Sequence, residues 1–434
     1  MRPPPEWGDP ARVSADPARQ AAFDLLTAAL ARKAGLEVAL ETARFTSLDP
    51  QDRGFARALA MAALRHLGPI DRALATAMER APPEPVRMIL RLGAAQLYYL
   101  DTPTYAAVDS SVALAEASNA TRGFNALVNA VLRRLGREGA PPDDPAALAP
   151  PWLYARWRAA FGEADAAAVA AMIAAEPATD VTPRDPADAP ALARELMAEP
   201  LPGGSLRRAA RGRIEDWPGF AEGRWWVQDA AAAIPARLLD ARPGEQVLDL
   251  CAAPGGKALQ MTAAGATVTA VDRSAARLKR LEDALARTGL AAEIVAADAE
   301  TWDDARTFDA VLLDAPCTSS GTFRRNPDVL WTLGPRDIAK LAEVQVRLLD
   351  AAALRVKPGG RLVYCVCSLE PEEGESQARA FLKRRPDFAT APADPAAIGA
   401  PAASLTPEGW LRLLPHQLEG GMDGFFVAKL ARAR

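Results

Sequence analysis

Between residues 17 and 137 apolar side chains recur at intervals of three and four. Phe23, Leu26 and Leu30 share one helical face, as do Phe55, Leu59 and Ala63. Residues 86–100 and 122–135 continue the pattern, and no run alternates with the two-residue period of a strand. Pro69, Pro83, Pro85 and Pro103 fall between the helical runs. This spacing predicts a bundle of six or seven helices. Residues 138–150, rich in Pro, Asp and Ala, predict a linker. Residues 1–16, proline-rich and charged, predict a disordered N-terminus. A small mixed α/β subdomain is expected over 151–225, with a helix at 164–174. From 226 to 434 the pattern changes. Short apolar strands at 247–250, 268–271, 293–296, 310–313 and 361–364 alternate with helices such as 275–286 and 337–356. That is the βαβ rhythm of a doubly wound, mainly parallel sheet. Segments 410–414 and 425–430 predict a closing antiparallel hairpin. The expected architecture is an all-α bundle followed by an α/β, Rossmann-like domain.

Composition narrows the chemistry. With half its residues hydrophobic, the 434-residue chain can bury more than one core. No stretch has the length and purity of a membrane span, and the start lacks the apolar run of a secretory signal, so a cytoplasmic protein is expected. The net charge of −4 disfavours a generally basic nucleic-acid binder but leaves room for a local patch. The densest basic run is 206–213, containing Arg207, Arg208, Arg211 and Arg213. A bare charge run of this kind is more often a solvated loop than a binding site. Two histidines, His66 and His416, exclude a His-rich metal site, and no G-x-S-x-G elbow accompanies them. Four cysteines in so long a chain are no disulfide framework.

Ligands of doubly wound sheets bind beyond the carboxyl ends of the strands. There the first strand of the α/β segment runs into Cys251, Ala252, Ala253, Pro254, Gly255, Gly256 and Lys257. A phosphate-binding loop would need Gly where Cys251 stands and Ser or Thr after Lys257, and the dinucleotide G-x-G-x-x-G is missing. Carboxylates at three successive strand ends, Asp249, Asp272 and Asp298, suit a ligand carrying a sulfonium and an ammonium: S-adenosylmethionine. Each alone reads as a helix cap; three in series read as a site. In that reading Asp272 serves the ribose hydroxyls and Asp298 the adenine amino group.

Two further strand ends carry Asp314-Ala315-Pro316-Cys317 and Tyr364-Cys365-Val366-Cys367-Ser368. A thiolate is suited to an aromatic ring carbon that is not itself nucleophilic. Adding to carbon 6 of a pyrimidine, it builds electron density at carbon 5, which then attacks a sulfonium methyl. Cys317 and Cys367 occupy matching rim positions, and Asp314 is the candidate acid beside the ring nitrogen. Cys251 and Cys365 read as small buried hydrophobes. Cys365 is expected one residue off the rim, on the alternate strand face.

These motifs resemble the Sun/RsmB family of bacterial ribosomal RNA cytosine-5 methyltransferases. The resemblance rests on 248–257, 314–317, the 324–328 run Arg-Arg-Asn-Pro-Asp, 367–373 and 424–430. Upstream, Arg122-Gly123-Phe124 and 128–134 resemble a NusB-type RNA-binding domain, and Trp226-Val227-Gln228-Asp229 resembles the entry into the catalytic domain. The likeness runs from about 17 to 431. It implies that Cys367 is the nucleophile, that Cys317 assists breakdown of the covalent intermediate, and that Cys251 to Lys257, Asp272, Asp298 and Asp314 line the cofactor site. The implied substrate is a cytosine of small-subunit (16S) ribosomal RNA, free or in an assembly intermediate, and a monomer is implied. RNA contacts are expected from Arg133, Arg134, Arg137, Arg207, Arg208, Arg211, Arg324 and Arg325. Val366 stands where the family usually has Thr, Asn326 where His is frequent, and Thr182 and Arg184 near a frequent Arg-x-Asn pair. Two alternatives remain: a non-catalytic RNA-binding assembly or antitermination factor, and a DNA cytosine-5 methyltransferase with Cys317 as nucleophile. The latter lacks its Glu-Asn-Val motif here.

Overall fold

The structure, a computed structural model, describes residues 16–30, 35–142, 144–209 and 212–434. The chain divides into two units, 1–155 with 326–332, and 156–325 with 333–434. The expectation of disorder over 1–16 lies outside the described residues except at Asp16, whose carboxylate accepts from Ala18 N–H, and Arg211 also lies outside them.

In the first unit the described residues up to 138 form eight α-helices, of which Leu36–Leu40 and Ala43–Thr46 are short. Pro17–Leu30 buries Ala22, Leu25, Leu26 and Ala29 against Pro50–Arg65, which contributes Leu59, Ala60 and Ala63. Abundant alanine favours the helical state and allows close approach. Gly93 of Glu84–Tyr99 lies where a Cβ would come within 2.5 Å of Leu132, so a larger residue there would have to displace that side chain. Residues 138–150 do not form a plain linker. Asp144 caps a short helix, Pro145–Leu148, and Ala147, Leu148 and Ala149 are buried. Asp328 also belongs to this unit, and its carboxylate accepts from the Leu36 N–H at 3.1 Å.

The second unit holds two sheets. A four-stranded antiparallel sheet is built from β1 (Thr179–Pro183), β2 (Glu199–Pro200), β3 (Leu206–Arg208) and β4 (Trp225–Val227), in the order β2-β3-β1-β4. β4 completes this sheet, so the small subdomain extends past the expected boundary at 225. The larger sheet contains β5 (Gln246–Leu250), β6 (Thr267–Asp272), β7 (Glu293–Ala296), β8 (Phe308–Asp314), β9 (Val356–Val366), β10 (Phe388–Thr390), β11 (Leu411–Leu413) and β12 (Phe425–Arg432). Its order is β10-β12-β9-β8-β5-β6-β7, with β11 paired to β12. Strands β5 to β9 are parallel, while β10, β11 and β12 pair antiparallel. Two apolar clusters cover opposite faces of the sheet. Val363 and Cys365 face one, and Leu362, Tyr364 and Val366 the other. Burial on both faces explains why these strands read as continuous apolar runs.

Candidate active site

The loop after β5 opens the site. Cys251 has a left-handed backbone (φ 60°), and Gly255 follows at φ +112°, where a Cβ would also lie 2.3 Å from Leu281. Helix Gly256–Ala263 then begins. Lys257 is buried, and its Nζ lies 2.7 Å from Asp314 Oδ2. Burial alone would lower the ammonium's pKa, but Asp314 and Asp249 carry it upward. Asp249 has no exposed surface, and neither carboxylate oxygen has a hydrogen-bond partner. Burial, with lesser pushes from Asp314 and Asp272, raises it to about 8 against the pull of Lys257. Unpaired buried acceptors among three mutually repelling carboxylates fit a ligand that brings positive charge. Asp272 braces the same loop. Its Oδ2 accepts from Ala253 N–H at 3.1 Å and its Oδ1 from Ser274 N–H at 2.9 Å. Arg277 stands 3.6 Å from Asp272 and donates to the Ala253 carbonyl. Asp298, exposed two residues beyond β7, accepts from Glu300 N–H at 2.9 Å.

Strands β8 and β9 are parallel neighbours, with Asp314 opposite Cys365. Chain ends leaving adjacent parallel strands emerge on the same rim, and this brings the two expected cysteines together. Cys317 Sγ and Cys367 Sγ are 3.4 Å apart, and Ser319 Oγ is 3.6 Å from Cys367 Sγ. Their shared hydrogen bond moves the two thiols in opposite directions. It is the largest cause raising Cys317, reinforced by burial, and the largest lowering Cys367, against burial. Of the two sulfurs, Cys367 is the one shifted toward the thiolate. Burial raises both other cysteines. Cys365 departs from expectation. A two-residue step keeps it on the same face as Cys367, one pleat deeper, where its Sγ lies 3.5 Å from Asp314 Oδ1.

The arginines separate by location. Arg207 lies on β3 and is buried. It donates to both oxygens of Asp180 at 2.7 and 2.8 Å and to the Glu419 and Gly421 carbonyls at 2.7 and 2.6 Å. Arg324 is likewise internal, donating to the Gly420 carbonyl at 2.8 Å, 3.6 Å from Asp229. These two do not present the surface guanidiniums expected of RNA contacts. Arg208 is half-buried, 4.4 Å above the Trp217 ring. Arg325 is exposed, its Nε 3.1 Å from Asp423 Oδ2. Asp423 itself is buried, which raises it to about 6 although Arg325 pulls it down. In the first unit, Arg133 and Arg134 are exposed and reach Asn129 at 2.9 Å and Glu138 at 2.7 Å. Thr182 is buried on β1, and Arg184 donates to the Thr288 carbonyl at 2.7 Å.

Residues 236–431 match the family described as 16S rRNA methyltransferase RsmB/F, and residues 16–137 match the NusB family. The chain is 37% identical to a ribosomal RNA small subunit methyltransferase B of Pseudomonas putida, over 95% of this chain and 98% of that one. It is 38% identical to one from Thermus thermophilus, over 88% and 89%. The chain belongs to the RsmB/F family. It is thus an S-adenosylmethionine-dependent methyltransferase of small-subunit ribosomal RNA with an N-terminal NusB-family domain. This sets aside the non-catalytic and DNA-directed alternatives. Among solved structures, PH0851 superposes with a TM-score of 0.77 at 25% identity, covering 96% of this chain and 99% of that one. NSun6 from Pyrococcus horikoshii, solved with SFG, shares the fold at a TM-score of 0.56 and 18% identity, covering 66% and 98%.

Sequence reading left Asp180, Asp423 and Glu373 without roles. All three are acids with no exposed position, and only their partners, distant in sequence, distinguish them from surface charges. At the cofactor loop one expectation follows directly. Gly255→Ala must hold a side chain at φ +112° and displace Leu281. Strain of about 1–3 kcal/mol, if carried wholly into binding, corresponds to roughly 5- to 150-fold weaker S-adenosylmethionine binding. Calorimetric titration checks this, with thermal unfolding to show that the fold persists.

Proposed function

We propose that the chain methylates carbon 5 of a cytosine in 16S ribosomal RNA through a transient bond between Cys367 Sγ and ring carbon 6. What supports this reading is the sulfur pair: two thiols 3.4 Å apart beyond neighbouring strands, of which Cys367 alone among the four cysteines is shifted toward the thiolate. Carbon 5 of cytosine is a poor nucleophile until an electron-rich atom bonds to carbon 6. The Cys367 thiolate makes that bond. The electron pair of the ring double bond shifts toward carbon 5 and N3, and N3 takes a proton from solvent. Asp314, anchored by Lys257, accepts hydrogen bonds from the N3–H and the exocyclic amino group. S-Adenosylmethionine, when bound along Cys251 to Lys257, Asp272 and Asp298, supplies a methyl group on a sulfonium. Carbon 5 takes that methyl and then loses its proton to a solvent base. The C–H pair re-forms the ring double bond while the C6–S pair returns to Cys367, and N3 gives its proton back to solvent. Cys317, still carrying its proton, donates to the departing sulfur and assists release. A target cytosine inside a helix must be flipped out to meet these groups. Arg325, the exposed guanidinium whose charge reaches Cys367, meets a backbone phosphate beside the target, with Arg208 as a further RNA contact of the same unit and Arg133 and Arg134 as RNA contacts of the first unit.

Removing the group that assists release traps the intermediate. With S-adenosylmethionine and 16S ribosomal RNA, Cys317→Ala should give a protein–RNA band on a denaturing gel that Cys367→Ala does not. Methylated RNA without 5-methylcytosine, or no band from any variant, would overturn the reading.

A further inference from the structure

Behind the two sulfurs lies a buried polar cluster that the reaction as described does not use. Its centre is Glu373, which has no exposed surface although it lies only six residues after Cys367. One carboxylate oxygen, Oε1, accepts from Thr318 N–H at 3.0 Å and from Gln345 Nε2 at 3.1 Å. The other, Oε2, accepts from Thr318 Oγ1 and Ser368 Oγ, both at 2.5 Å. Gln345 Nε2 also donates to the Pro316 carbonyl at 3.0 Å. The residues on both sides of Cys317 and the residue after Cys367 are therefore tied to one carboxylate. Glu373 is itself fixed: its carbonyl accepts from Tyr364 Oη at 2.5 Å, and its N–H donates to the Glu370 carbonyl at 3.1 Å.

The tie matters more for one cysteine than for the other. Cys367 directly follows β9, and its carbonyl accepts from Gly321 N–H at 3.0 Å. Cys317 lies in an irregular segment, three residues past the end of β8. Its place opposite Cys367 depends on the bonds made by Pro316 and Thr318. A satisfied buried network of this kind fixes one arrangement of the groups it holds, and loss of its central acceptor leaves several donors unpaired.

We infer that Glu373 is a positioning residue for the sulfur pair, holding the Cys317 thiol where it donates to Cys367. The inference rests on the cytosine-5 reading above and predicts which step fails. In Glu373→Ala, Cys367 still bonds to the ring, but Cys317 no longer reaches the departing sulfur. Release should slow on the order of 100-fold, the scale of a displacement near 1 Å at a reacting group. Glu373→Gln should recover near-normal release. Its amide oxygen accepts from Thr318 N–H and Gln345, and its amide NH₂ donates to the Thr318 and Ser368 hydroxyls, which can reverse their protons.

The test is a time course of the covalent protein–RNA band formed by the full-length chain with 16S ribosomal RNA and S-adenosylmethionine. S-adenosylhomocysteine binding, measured per mole of each variant, reports the folded fraction. The expected result is persistent adduct in Cys317→Ala and Glu373→Ala, and rapid turnover in the wild type and Glu373→Gln. Thr318→Val keeps its N–H and shape but loses one hydroxyl tie, so it should lengthen the adduct lifetime several-fold even if Glu373→Ala fails to fold. Trapping by Cys317→Ala with wild-type release in Glu373→Ala, or in Thr318→Val if Glu373→Ala does not fold, would overturn the inference and leave the cytosine-5 reading standing. So would slowed adduct formation with unchanged release, or a Glu373→Gln variant as defective as Glu373→Ala. No trapping by Cys317→Ala would remove the reading and the inference together.

Discussion

Cys367→Ala should abolish methyl transfer, with a rate at least on the order of 10⁴-fold lower, the scale on which loss of a covalent nucleophile is felt. S-adenosylmethionine binding and the unfolding temperature should stay near those of the parent. Cys367 is only half-buried, lies past the end of β9, and contributes little to the apolar cluster beneath it. The same sulfur sets a pH dependence. Attack requires the thiolate, whose population rises as pH passes upward through the thiol's pKa. The hydrogen bond from Cys317 holds Cys367 below the ordinary thiol value, so the rising limb of adduct formation belongs on the acid side of that value. Cys317→Ala removes that bond and should move the limb to higher pH while the adduct accumulates. Rapid-quench measurement of adduct formation across pH checks both signs. A limb that stays in place in Cys317→Ala would mean that the two sulfurs do not share a proton.

Much of the site was legible because it lies where apolar strands end. The runs at 247–250, 268–271 and 310–313 are buried on both faces and announce themselves without an alignment, and the residues beyond them fall on one rim by topology. The Asp314–Lys257 ion pair and the bracing of the cofactor loop by Asp272 were not legible. The first joins side chains 57 positions apart and the second a carboxylate to a backbone N–H 19 positions away, and both meetings depend on register between strands. Strand period also corrects the placing of Cys365. Because β9 runs unbroken to Val366, a residue two before Cys367 shares its face. Short elements escaped for another reason. β2, β3, β4 and β10 have two or three residues each, too few for a period to appear. The segment 138–150 carries linker composition, yet Asp144 finds Ala146 N–H to cap and Arg72 to pair with, so composition alone misjudged it.

The misread arginine run leads to the second large effect. Local charge density marks 206–213 as a solvated loop, but β3 places Arg207 directly opposite Asp180 of β1, an acid 27 residues earlier. Opposite charges facing each other across antiparallel strands attract, and here the pair is removed from water. Desolvation costs such a pair much of its attraction, so its presence is weak support for stability. Its disruption is another matter, because a buried charge is left alone. Arg207→Ala leaves the Asp180 carboxylate with one bond, from Ala230 N–H at 3.1 Å, and frees the Glu419 and Gly421 carbonyls that Arg207 holds. The expected loss is roughly 3–5 kcal/mol. For a unit of this size that lowers the unfolding temperature by on the order of 10 °C. Arg208→Ala, which gives up a partly exposed contact with Trp217, should cost less than about 1 kcal/mol. Pairing Arg207→Met with Asp180→Leu should recover part of the loss, since neither charge then remains buried although the Glu419 and Gly421 carbonyls stay unpaired. Scanning calorimetry of the full chain separates these outcomes. If Arg207→Ala left the unfolding temperature unchanged and weakened RNA binding instead, Arg207 would be a surface contact and the buried pair would not exist in solution.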